Sequence, residues 1–189
     1  MDVVIKNLGS INDIAPCSVI DLILKLDPDN LNSYCAAKVD GRIIDLRETI
    51  SENCEIELLD KTAPESLAIL RHTTAHIMAE AVQHLFPDAK LTIGPTTEKG
   101  FFYDFDHKPF NREDLDAIEK EMKSIIKKAT RIERKVVSRD EAKTIFEERN
   151  EPYKVELLEA IEPNARITIY SQDDYVDLCT GPHLLNTRL

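Results

Sequence analysis

No stretch of this sequence approaches the roughly 18 to 20 consecutive apolar residues that a membrane-spanning helix needs, and Met1-Asp2-Val3-Val4 lacks the basic-then-apolar order of a secretory signal. A soluble, cytoplasmic protein is expected. Close cysteine pairs are missing as well. Cys17, Cys35, Cys54 and Cys179 are scattered, without the spacing of a zinc ribbon or a CxxC redox motif. They read as reduced thiols, the first three as small core residues. Basic charge is in short supply: 24 Lys and Arg stand against 35 Asp and Glu, a net charge of −11, which argues against a broad nucleic-acid surface. The shortage is uneven, with −7 over residues 1–60 and −4 over residues 61–189. The densest basic stretch runs through Lys120, Lys123, Lys127, Lys128, Arg131, Arg134 and Lys135. Any RNA contact is expected there, although such lysines equally suit the solvated face of an amphipathic helix.

What is present suffices for a core. A length of 189 residues with 42% hydrophobic content allows one large domain or two small ones. Residues 3–8, 34–39, 42–46 and 55–59 have strand character, and Asp40-Gly41 is a turn signal between two of them. Between them Ser18 is a helix N-cap, followed by Val19, Leu22, Ile23 and Leu26 at helical spacing until Asp27-Pro28. One sheet on one helix, a small α+β fold, is implied. A connector at 60–64 leads into a long helix over about 64–86, with Leu67, Leu70, Thr74, Ile77, Met78, Ala81 and Leu85 as its apolar stripe. There follow a hairpin (90–94 with 100–106), a helix carrying Leu115, Ile118, Met122, Ile125 and Ile126, a short segment at 139–148, and strands at 153–158, 166–170 and 175–178. The chain stops at Leu189 with no closing element, which reads as truncation.

Two constellations carry chemistry. His72 and His76 lie about 40° apart on the helical wheel, opposite the apolar stripe, so both are expected to look at solvent, a partner or a cleft. In the strand that ends at Cys179, alternation puts Tyr175, Asp177 and Cys179 on one face. Gly181-Pro182 then turns the chain and can return His183 towards Cys179. Three imidazoles and a thiol would suffice for tetrahedral zinc, without requiring it. Thr73, Thr74 and Ala75 stand between the histidines, so the glutamate base of an HExxH metalloprotease is lacking. A Cys-His protease is disfavoured because nothing local in the sequence activates Cys179.

Arg71-His72-Thr73-Thr74-Ala75-His76 and, about a hundred residues later, Tyr175-Val176-Asp177-Leu178-Cys179-Thr180-Gly181-Pro182-His183 resemble the paired signatures of the editing domain of bacterial-type threonyl-tRNA synthetases. Ile93-Gly94-Pro95, the segment Gly100 to Asp106 and Tyr153-Lys154-Val155 stand in the same order. The resemblance implies an α+β chain in two parts: a ubiquitin-like β-grasp (TGS) domain at 1–61, then an editing domain at 62–189 with a long helix packed on an antiparallel or mixed sheet.

It further implies hydrolysis of the ester in seryl-tRNA(Thr), since one missing methyl gives a synthetic site only about 1 to 3 kcal/mol of discrimination. The implied catalytic residues are His72, His76, Lys154, Asp177, Cys179 and His183. His72 would be the leading general base, Lys154 a source of positive charge or of a proton, and Asp177 an orienting or ammonium-binding group. Gly94, Pro95, Tyr103 and Asp104 would bind substrate. No cofactor is implied for editing; ATP, magnesium and zinc belong to a catalytic domain that this chain lacks. The implied partner is the acceptor end of threonine tRNA carrying serine, with no membrane, a monomeric fragment and a homodimeric parent that ligates threonine using ATP. Two other readings stand beside it: a freestanding zinc-dependent deacylase of the alanyl-editing type, with His72, His76, Cys179 and His183 as ligands, and a non-enzymatic tRNA-binding fragment.

Overall fold

A computed structural model describes residues 1–188. The chain is mixed α and β, and divides into two compact units. The first comprises Met1–Leu70 with Gly181–Leu185, the second Arg71–Thr180 with Asn186–Arg188.

The first unit is built on β1 (Val3–Ile5), β2 (Gly9–Ile11), β3 (Cys17–Ser18), β4 (Tyr34–Val39), β5 (Arg42–Ile44), β6 (Thr49–Ile50) and β7 (Cys54–Asp60). Five of these form a sheet in the order β2-β1-β7-β4-β5, parallel between β1 and β7 and antiparallel elsewhere. Alternation sends Val3 and Ile5 inward and leaves Val4 exposed. Helix α1 (Val19–Leu26) begins at a reciprocal cap, the Ser18 hydroxyl accepting from Asp21 N and the Asp21 carboxylate from Ser18 N. Its Val19, Leu22 and Ile23 meet Val3, Ile5, Ala37 and Ile56 in the core. Asp40 and Gly41 have φ of 49° and 84°, the paired positive values that a two-residue hairpin between β4 and β5 requires. Of the three cysteines expected inside, Cys35 is buried but Cys17 and Cys54 are half-buried, because both sit at strand ends.

A buried ion pair ties residues 181–185 to this unit. The Asp45 carboxylate, 4% exposed, accepts from Arg47 Nη1 at 2.8 and 3.0 Å and from the His183 backbone N–H at 3.1 Å. Arg47 also donates to the carbonyls of His183 and Leu184, and Leu185 joins the core.

The second unit takes residues 71–85 of helix α2 (Ser66–Leu85). Thr73, Ala75, His76, Ile77, Ala79, Glu80, Ala81 and Val82 are all buried, so the helix is covered on several sides rather than along one stripe. Leu85, at the end of the expected stripe, is 38% exposed. One side packs Ile77, Ala81 and Val82 on Ile118 and Ile125 of α3 (Arg112–Lys128); another packs Ala75 and Ala79 on Leu91, Tyr103 and Tyr175. The expected single hairpin is two nested ladders, β8 (Lys90–Leu91) with β11 (Phe105–Asp106) and β9 (Thr96–Thr97) with β10 (Gly100–Phe101). Strands β12 (Glu133–Val137), β13 (Ile167–Gln172) and β14 (Tyr175–Leu178) form an antiparallel sheet. Helices α4 (Arg139–Glu148) and α5 (Pro152–Ala160) pack against it through Ala142, Phe146 and Leu158.

Helix α5 corrects the strand expected at 153–158. Pro152 occupies the first helical position, where its fixed φ and missing N–H favour helix. The buried residues are Glu151, Lys154 and Leu158, spaced three and four apart, so the period is helical. Among the described residues no helix is long and apolar enough to cross a membrane.

Asp45→Ala leaves the Arg47 guanidinium buried beside orphaned partners. A loss of about 3 kcal/mol of stability is expected, with faster amide exchange over residues 181–185; unchanged exchange there would show that the ion pair does not hold the segment.

Candidate functional site

Three elements of the second unit deliver the candidate residues to one place. Helix α2 carries His72 and His76 one turn apart, their rings edge to face with centroids 5.2 Å apart. Strand β14 supplies Tyr175 and Asp177 on its buried face, and Cys179 follows directly, its backbone N–H donating to Thr168 O. Helix α5 contributes Lys154. Its start is fixed by Glu151, a buried carboxylate that accepts from Gln83 Nε2 and from Leu91 N.

Lys154 and Asp177 form a buried ion pair, Nζ to Oδ1 at 2.6 Å, with side chains 2% and 4% exposed. The ammonium also donates to Thr92 O at 2.6 Å and to the Tyr103 hydroxyl at 3.1 Å. On the second carboxylate oxygen, Oδ2, the hydroxyls of Tyr103 and Tyr175 each donate at 2.8 Å. His76 Nε2 lies 3.5 Å from the same oxygen. Burial alone would push the Asp177 carboxyl up, but the Lys154 ammonium, joined by the Tyr175 hydroxyl, holds it below the usual carboxylate range. Burial lowers His76 to about 3 despite the nearby carboxylate, so its ring is neutral at physiological pH. Burial and the Asp177 charge raise both tyrosines.

In front of this network lies a cavity of about 420 Å³, with His72 and Cys179 in its wall and His72 Nε2 3.3 Å from Cys179 Sγ. Gly94 and Pro95 also line it. Gly94 is required by a close approach: a Cβ there would lie 2.2 Å from the Tyr103 ring.

The expected residues therefore separate. His72, Cys179, Gly94 and Pro95 face the cavity, whereas His76, Lys154, Asp177 and Tyr103 are buried behind it. His76 does not look at solvent, because Tyr175, 5.5 Å away ring to ring, covers the side that the helical wheel left open. Lys154 is on a helix, fully paired. The Asp104 side chain is exposed and outside the cavity lining, and its backbone pairs with Thr92 and Ile93. His183 belongs to the segment grouped with the first unit, its backbone held by Asp45.

Tyr175, Thr92, Arg166 and Thr168 were missed. Tyr175 stood in the motif, and strand alternation placed it beside Asp177; Thr92 acts through its backbone carbonyl, which no sequence signal marks. Thr168 and Arg166 line the cavity, and the Thr168 hydroxyl donates to Cys179 O.

The chemistry on offer is that of an imidazole and a thiol at a cavity wall. The imidazole beside Cys179 comes from 107 positions away, so no local sequence pattern could have announced the contact. The ligand atoms of His72, His76 and Cys179 lie within 4.8 Å of one another, a spacing that fits three ligands of a tetrahedral ion.

No family model matches the chain. Among curated proteins, it is 49% identical to threonine–tRNA ligase of Oleidesulfovibrio alaskensis over 80% of its length, and 42% identical to that of Citrifermentans bemidjiense over 92%. The match to the same enzyme of Ehrlichia chaffeensis is 45% over 89%. The chain is homologous to a segment of threonine–tRNA ligase. It spans about a quarter of the length of these relatives, 24% to 27%.

A histidine lowered to about 3 in the fold and near 6.5 unfolded binds more protons in the unfolded state between those values. Stability should thus fall as pH drops through that window, by up to about 1.4 kcal/mol per pH unit, and His76→Gln should remove that part of the slope in paired denaturant titrations. In Gly94→Ala the new methyl displaces the Tyr103 ring from Asp177. A lower melting temperature and a near-ultraviolet change from the displaced tyrosine are expected, and a variant with native stability would contradict the close approach.

Proposed function

We propose that the second unit hydrolyses the ester joining serine to the terminal adenosine of threonine tRNA, as the editing part of a protein that ligates threonine to tRNA. The observation that carries this reading is the 3.3 Å approach of His72 Nε2 to Cys179 Sγ at the wall of a 420 Å³ cavity, in a chain homologous to threonine–tRNA ligase. Residues 1–61 are read as the TGS β-grasp domain and 62–189 as the editing domain. The mixed five-stranded sheet with one capped helix supports the first assignment, and the paired histidine and cysteine elements support the second.

In the proposed reaction the His72 imidazole takes a proton from a water that attacks the ester carbonyl, and returns it to the departing ribose oxygen. Two groups change roles relative to the resemblance. The Lys154 ammonium is ion-paired with Asp177 and donates to Thr92 O and the Tyr103 hydroxyl, while Asp177 Oδ2 accepts from two tyrosines. These residues hold β14 and α5 in register and position Cys179 and the neutral His76; proton transfer falls to His72. Threonyl ester is rejected by contact with its extra methyl, which the tight packing of Tyr103 on Gly94 leaves no slack to absorb.

The reaction is proposed to run on protein groups and water alone, with no cofactor. A second reading is favoured by the same 3.3 Å contact: Cys179 as nucleophile, activated by His72, passing through a thioester that water then cleaves. Basic residues of α3 are proposed to meet the tRNA. Lys123 and Lys128 are paired with Glu119 and Asp173, which leaves Lys120 and Lys127, beside a groove lined by Leu85 and Ala117, as the principal contacts. The fragment is proposed to be a cytoplasmic monomer.

The decisive experiment is hydrolysis of seryl- and threonyl-tRNA(Thr) with and without chelator. Loss of serine alone, resistant to chelator and slowed about 100-fold or more by His72→Ala, is expected. Chelator sensitivity restored by stoichiometric zinc, with preference for seryl-tRNA(Ala), would instead identify a zinc deacylase of the alanyl type. Binding of tRNA with no hydrolysis by the folded protein would leave a recognition module. A hydroxylamine-trappable acyl-enzyme that vanishes in Cys179→Ala would select the thiol route over the water route. Lys120→Glu with Lys127→Glu should weaken tRNA affinity and lower its salt dependence by about two ion contacts.

A further inference from the structure

We propose that Arg166 is the phosphate contact of the cavity, pairing with the 5′-phosphate of the terminal nucleotide whose ester is cleaved; this rests on the deacylase reading. The cavity is divided chemically. Leu157, Ile161 and Leu178 make an apolar wall, His72 and Cys179 mark the reactive end, and Arg166 is the one lysine or arginine among the described residues lining it. Such a composition fits a ligand with a flat apolar body, a reactive ester and an anionic group.

The backbone sets the distances. Arg166 immediately precedes β13, and alternation along an extended chain gives it the same face as Thr168. Thr168 is locked to Cys179 by two hydrogen bonds, Cys179 N to Thr168 O at 3.1 Å and the Thr168 hydroxyl to Cys179 O. Two residues of strand advance about 7 Å, so Arg166 is anchored one pleat from Thr168, the residue bonded to Cys179, at an exposed position in the cavity lining. A nucleotide whose 3′ ester lies at His72 and Cys179 extends its 5′-phosphate away from that end of the ribose. The planar guanidinium pairs with a phosphate through two parallel N–H donors, which a lysine cannot reproduce. In a chain of net charge −11 it also supplies local attraction for an anionic substrate at the cavity.

Nucleotide binding by the whole chain tests this without depending on hydrolysis. Adenosine 5′-monophosphate should bind roughly tenfold more tightly than adenosine, by calorimetry, and Arg166→Ala should abolish the difference while leaving adenosine affinity unchanged. Equal binding of the two by the unaltered protein overturns the proposal and leaves the deacylase reading standing. In kinetics, Arg166→Ala should raise KM for seryl-tRNA(Thr) roughly tenfold, with kcat retained, and leave hydrolysis of 3′-O-seryladenosine, which has no phosphate, unaffected; Arg166→Lys should recover part of the loss. Equal loss on both substrates, or none on either, assigns Arg166 a structural role and overturns the proposal. If the unaltered protein cleaves neither ester yet shows the nucleotide preference, the deacylase reading fails and the phosphate contact of Arg166 survives as a nucleotide-binding feature.

Discussion

A lysine ammonium and an aspartate carboxylate, 2.6 Å apart and both shut away from solvent, govern the second unit. Each charge alone would cost several kcal/mol to bury, and the pair is sustained by further partners: Thr92 O and the Tyr103 hydroxyl on the ammonium, and two tyrosine hydroxyls on Oδ2 of the carboxylate, whose Oδ1 has the Lys154 ammonium as its ion-pair partner. These partners come from α5, β14, the segment after β8 and the loop between β10 and β11. Four otherwise separate pieces of chain are thereby forced into one arrangement, and the neutral His76 is packed against it. The cavity residues stand on this buried network.

That network explains which parts of the site were legible in the sequence. His72 and His76 at helical spacing, and Tyr175, Asp177 and Cys179 on alternating strand positions, were readable because each set obeys the period of its own element. Which histidine meets the cavity was not readable, since a wheel drawn on α2 knows one apolar stripe and the real helix is enclosed on several sides. Lys154 was the hardest case. A lysine in Tyr-Lys-Val-Glu resembles an exposed strand residue, and its burial follows from a carboxylate 23 positions later on another element. The helix at 153–158 had local signals that were there to be weighed, Pro152 at its first position and the three- and four-residue spacing of Glu151, Lys154 and Leu158.

The first unit was the more legible of the two. Ser18 caps α1 and Asp40-Gly41 turns β4 into β5, both by local chemistry that sequence states outright. What it conceals is the far end of the chain: residues 181–185 are recruited by Asp45 and Arg47 through backbone groups, which carry no side-chain signature.

The occupied ammonium of Lys154 has a chemical consequence of its own. An aminoacyl ester is an acylating agent, and a free amine beside it competes with water to form a permanent amide. On the deacylase proposal, an amine that is buried, ion-paired with Asp177 and hydrogen-bonded to Thr92 O and the Tyr103 hydroxyl keeps a positive charge close to the cavity while offering such an ester no nitrogen to acylate. On that proposal, a site arranged in this way is protected from acylation by its own substrate.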